Sequence, residues 1–100
     1  MDSYTTEDGR FLKVGDIIRA YHKGLFILTK ITGRKKPDAP LAEFKKILNS
    51  RMEPSKGKIE QCDIGYCVPV SAQDIQDELK NIIETYEKAI DIIEKIENER

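Results

Sequence analysis

The chain has no tryptophan, only two cysteines and one histidine, and six glycines among its 100 residues. The glycines stand singly, so none builds a loop that cradles phosphates. One histidine leaves a nucleophile only one base, His22, beside Cys62, Cys67 or a serine. No nucleophile elbow or local cysteine signature accompanies it. A structural zinc site takes four ligands, and Cys62, Cys67 and His22 are its only weak candidates here. The plainer expectation is two small buried thiols flanking a bend. The carboxylates that acid–base chemistry would pair, Asp16, Glu60 and Asp63, have no spacing that unites them. No motif for a cofactor is present, and no apolar run approaches the ~20 residues that span a bilayer. The expectation is a non-enzymatic protein with no catalytic residue, metal, cofactor or membrane.

What is there fits one small domain. Charged residues make up 35% and aromatics 7%, so the core is expected to be aliphatic and small. The acidic start, Met1 to Asp8, has neither the basic residues nor the apolar stretch of a secretory signal. Two cysteines in such a chain are expected to stay reduced, in the cytoplasm.

The net charge of −1 hides an asymmetry. Residues 1–70 carry 13 Lys/Arg against 9 Asp/Glu, whereas residues 71–100 carry 4 against 9. Between Lys30 and Lys58 there are nine basic residues and only Asp38, Glu43 and Glu53 to oppose them. Such segregation is a partner signal worth testing.

Three regions follow. Residues 1–10 read as a frayed or lightly docked leader, with Asp8-Gly9 as a turn. Residues 11–70 carry strand punctuation, with a basic loop and hairpin over 32–58. Ile17–His22 and Leu25–Ile31, separated by Lys23-Gly24, predict a hairpin. The second run is apolar on both faces, which predicts a central or covered strand. Residues 41–52 permit a helix through Leu41, Phe44, Ile47, Leu48 and Met52. The alternation of Ala42, Phe44, Lys46 and Leu48 favours a strand, since a lone hairpin needs partners. Lys58–Cys62 and Tyr66–Val70 close the sheet around a bend at Asp63–Gly65, with Pro69 confining the last strand to an edge.

Residues 71–100 predict one long amphipathic helix. Ser71 and Asp74 resemble a capping box. Ile75, Leu79, Ile82, Tyr86, Ala89, Ile93 and Ile96 are spaced alternately four and three apart, a heptad stripe widened by Ile83, Ile90 and Ile92. The helix is longer than a domain of 60 residues can cover, so its far half is expected to project. Its stripe, from Ile75, Leu79, Ile82, Ile83 and Tyr86 through Ile90, Ile93 and Ile96, is the expected interface of a homo-oligomer.

Val14-Gly15-Asp16-Ile17-Ile18-Arg19-Ala20 resembles the opening of small Src-homology-3-like barrels, including the KOW type. Tyr21-His22-Lys23-Gly24 and Cys62-Asp63-Ile64-Gly65-Tyr66-Cys67 are similar to elements of compact barrels encoded by phages and mobile elements. The resemblance covers roughly residues 11–71. It implies an antiparallel Src-homology-3-like β-barrel of about five strands, which with the one long helix read from the heptad stripe makes the expected class α+β. It also makes an accessory or host-modulating role natural.

The functional expectation is a binding module, oligomerised by its helix, that engages a protein or an anionic partner through the barrel. One alternative is nucleic-acid binding through Arg34, Lys35, Lys36, Lys45, Lys46, Arg51, Lys56 and Lys58, whose phosphate contacts would be salt-dependent. Tyr21, Phe26 and Tyr66 would then offer stacking surfaces. Another alternative is sequestering a small anionic ligand such as a nucleotide, through Arg19, Tyr21, His22, Lys23 and Arg34.

Overall fold

A computed structural model of the chain describes residues 1–21 and 24–100. His22 and Lys23, and with them part of the expected hairpin turn and of the small-ligand set, lie outside the described residues. The architecture is α+β: a two-stranded ribbon, a five-stranded antiparallel sheet and one C-terminal helix.

The first ten residues are not a loose leader. β1 (Ser3–Thr5) pairs antiparallel with β2 (Phe11–Lys13), and the N-terminal ammonium donates to the Ile31 carbonyl at 3.2 Å. The turn between them needs Gly9 at φ +89°, where an L side chain is strained. Leu12, wholly buried, anchors the ribbon in the core.

The sheet runs β6-β5-β4-β3-β7. β3 (Ile17–Arg19) pairs with β4 (Leu25–Thr32), β4 with β5 (Leu41–Leu48), and β5 with β6 (Ile59–Asp63). β4, apolar on both faces, lies centrally as its sequence predicts. Its Phe26 meets Phe44 of β5 edge to face, with ring centroids 4.8 Å apart. Residues 41–48 form a strand, and Ala42 and Phe44 fill the core while Lys45 faces out.

The bend expected after β6 is a 3-10 turn, Ile64–Tyr66, held by Asp63 Oδ1 accepting from the Gly65 amide at 2.8 Å. It delivers β7 (Val68–Pro69) to β3, at the other edge of the sheet. The sheet is not closed into a barrel. β7 has only two residues, and Pro69 has no N–H with which to extend a ladder.

α1 (Ala72–Asn98) follows, with Ser71 Oγ accepting from the Asp74 amide at 3.4 Å. Its 27 residues rise ~40 Å. Only its first turns meet the sheet, so the molecule measures 70 × 26 × 18 Å. The Cα radius of gyration is 18.5 Å, against about 13 Å for a compact chain of this length. Among the described residues no helix is long and apolar enough to cross a membrane.

Candidate functional site

The expected basic face is dispersed. Lys45 and Lys46 are neighbours on β5 and point to opposite faces. Lys46 lies at the rim of the core, its Nζ 5.5 Å from the Phe26 ring centroid. Arg34 is engaged within the fold: Nε donates to the Ala39 carbonyl at 2.6 Å, and Nη2 pairs with Asp63 at 3.0 Å. Lys35 and Lys36 stand exposed on the loop that these bonds hold. Arg51 lies in the turn after β5, beside the helix. Lys56 and Lys58 flank Gly57, whose backbone packs against Lys46, so these three lysines are neighbours along the backbone.

The small-ligand set is also divided. Arg19 aligns with the Leu25 end of β4, whereas Arg34 follows its other end. Eight residues of strand put these ends ~25 Å apart. Arg19 instead pairs with Glu78 of α1 at 3.3 Å, which braces the helix against the sheet. Nor is Phe26 a stacking surface, since it is wholly buried. Tyr21 and Tyr66 are exposed and meet edge to face at 5.9 Å.

Cys62 and Cys67 lie close, with sulfurs 4.0 Å apart. Burial pushes the Cys67 thiol up to about 12, and it raises that of Cys62 as well. Among the described residues no group of three or more His, Cys, Asp or Glu gathers, and His22 lies outside them. Asp16 accepts from the Lys13 amide at 2.8 Å, and Asp63 caps the 3-10 turn, so both carboxylates serve turns.

A continuous unfilled apolar surface lies on α1. Ile75 is buried at 7% exposure, and Leu79 and Ile82 are half-buried beside the turn at residues 51–53. Beyond them Ile83, Tyr86, Ile90, Ile92, Ile93 and Ile96 are exposed. Tyr86, Ala89, Ile90 and Ile93 line a shallow apolar groove there.

No family model, curated protein or solved structure matches the chain. The surfaces themselves therefore carry the functional reading.

One element escaped the reading of residue types. Arg10 fills the junction of the ribbon and the 3-10 turn: Nη2 donates to Gly65 at 2.9 Å, Nη1 donates to the Cys67 carbonyl, and Nε pairs with Asp8 at 3.0 Å. A cavity of about 350 Å³ opens beside it, walled by Tyr4, Asp8, Arg10, Pro37, Ala39 and Ile64. The turn residues Asp8 and Gly9 were the one signal for it, since they fix where Arg10 emerges.

Proposed function

We propose that this chain is a non-enzymatic binding module. α1 pairs it with a second copy, and the sheet presents each copy's target surface. The observation that carries the reading is the projecting apolar stripe. Burying what remains exposed of each such side chain is worth about 1 kcal/mol, and two copies supply twelve of them between Ile83 and Ile96. That gross gain of about 12 kcal/mol exceeds the lower estimates of what association costs, about 4 kcal/mol, and a surplus of about 8 kcal/mol is that of a reversible micromolar pair. Two linked sites then raise avidity for a repeated target. On the sheet, the exposed Tyr21–Tyr66 pair is a contact surface suited to a protein partner, since tyrosine supplies large amphipathic area.

The sheet itself fits a Src-homology-3-like scaffold. Supporting this are the meander from β3 to β6 and the 3-10 turn that returns β7 to β3. A second reading, nucleic-acid binding, has in its favour the backbone approach of the Lys56–Lys58 segment to Lys46 at Gly57. It requires affinity that falls steeply with salt.

Native mass spectrometry of protein purified gently from its source cells tests the reading. A dimer without added small-molecule mass is expected. A monomer would refute the pairing, and a stoichiometric small anion would replace the protein target with a sequestered ligand.

A further inference from the structure

We infer that two copies pair antiparallel through the distal halves of α1, with the tip of each helix seated against the sheet domain of the other. This rests on the pairing proposed above and adds its geometry.

Ile93 lies 18 residues beyond Ile75, five turns of helix, so both side chains point the same way. The sheet domain already lies on that face, where its turn at residues 51–53 shares a cleft with Leu79 and Ile82. A helix laid parallel on the distal stripe would carry its own sheet domain on the facing side at the same level. Two sheet domains would then claim one volume. Reversing the second helix puts them at opposite ends and leaves both stripes free to meet.

The side chains set the register. With the two-fold axis level with residue 91, Tyr86 opposes Ile96 of the second copy, and small Ala89 opposes Ile93. On the shoulders of the stripe, Ile90 and Ile92 each meet their own counterparts. A parallel pairing would instead set Ile92 beside Glu97, an apolar group against a charge. Charge permits the antiparallel overlap: in this register residues 82–100 face one another, and Lys88, Lys95 and Arg100 offset half of the six carboxylates there. The exposed stripe amounts to on the order of 600 Å² per copy, approaching the ~800 Å² per partner of a standard interface.

The same register brings Arg100 of the second copy level with Ile82. There a cleft of about 480 Å³ lies between the helix and the turn, walled by Arg51, Met52, Glu53, Leu79, Ile82 and Tyr86. It receives the helix tip, and Glu53 faces an arriving arginine. The cleft is thus completed by the second copy.

Photocrosslinking of the full chain tests this. Tyr86, 67% exposed, is replaced by p-benzoylphenylalanine, and isotopically labelled and unlabelled chains are mixed so that only interchain products are scored. The expected product joins position 86 to residues 89–100 of the other chain. A product at residues 81–88 would overturn the antiparallel arrangement while leaving the pair intact. No interchain product from a chain that sediments as a monomer would overturn the pairing itself. Solution scattering supplies a check without substitution. With a 1.5 Å rise per residue, the 70 Å chain gives an antiparallel pair of about 110 Å. A pair no longer than one chain would contradict it.

Discussion

Arg10 donates through Nη2 to the carbonyl of Gly65 at 2.9 Å, across 55 positions of sequence. The same guanidinium donates to the Cys67 carbonyl and pairs with Asp8. One side chain thus joins the N-terminal ribbon to the turn that links the two edges of the sheet. Its planar fork of donors suits this, because it satisfies several acceptors in one fixed geometry. Replacing Arg10 by Ala should cost about 2 kcal/mol, the scale of charge-assisted hydrogen bonds. Thermal unfolding should show the midpoint down by roughly 10 °C. Arg10→Lys should recover only part, because an ammonium cannot reach all three acceptors.

Asp8 predicts a dependence on acid. The Thr6 hydroxyl and the Arg10 guanidinium both donate to its carboxylate and hold it below the ordinary 3.8. A depressed carboxyl stabilises the fold above its unfolded value, and the contribution is lost as pH falls through the lower folded value. Denaturant unfolding should therefore show stability declining below about pH 4. The Asp8→Asn chain should show a shallower decline, and an equal slope would remove Asp8 as its source. Asp8 is exposed, so the difference should be small.

The thiols predict the opposite limb. Burial, reinforced by Cys62 beside it, raises Cys67 to about 12, and burial pushes Cys62 above the ordinary 9.0 although its bond with Cys67 works the other way. Raised groups stabilise the fold below the unfolded value, and that stability is lost as pH rises through the folded one. Between pH 9 and the Cys67 value of about 12 the midpoint should fall, and a Cys67→Ala chain should lose part of that fall. At pH 8, Cys67 should resist a thiol reagent until the chain unfolds, with Cys62 the faster of the two.

Gly57 and Gly33 should respond differently to alanine. A Cβ at Gly57 would collide with Cβ of Lys46 on β5, whereas one at Gly33 would meet only the side-chain terminus of Met1, at 3.3 Å. Gly57→Ala should cost about 1–3 kcal/mol, as overpacking does. Gly33→Ala should lie within about 0.5 kcal/mol of the parent. Chemical denaturation of both chains measures the contrast.

Local periodicity made much of this fold legible. The stripe from Ile75 to Ile96 announced the helix and its projection, and Ala42 with Phe44 announced β5. The ribbon was hidden because the first ten residues are mostly polar, and the leucine that anchors it in the core, Leu12, lies beyond those ten. Closure of the sheet was not readable from pattern, since it turned on the length of β7 and the missing N–H of Pro69. Counting charge along the chain grouped Lys45 with Lys46, although the two-residue period of a strand separates them. The Tyr21–Tyr66 contact and the Cys62–Cys67 approach both depend on the 3-10 turn, whose path no spacing rule supplies.

Sedimentation equilibrium of the parent and of an Ile93→Asp chain tests the central claim most directly. Ile93 is 61% exposed, so the substitution leaves the folded monomer undisturbed while placing a charge in the proposed seam. The account predicts a reversible dimer of the parent at tens of micromolar, and a folded monomer of the variant at the same concentration. A parent that stays monomeric there, or a variant that still dimerises, would contradict it.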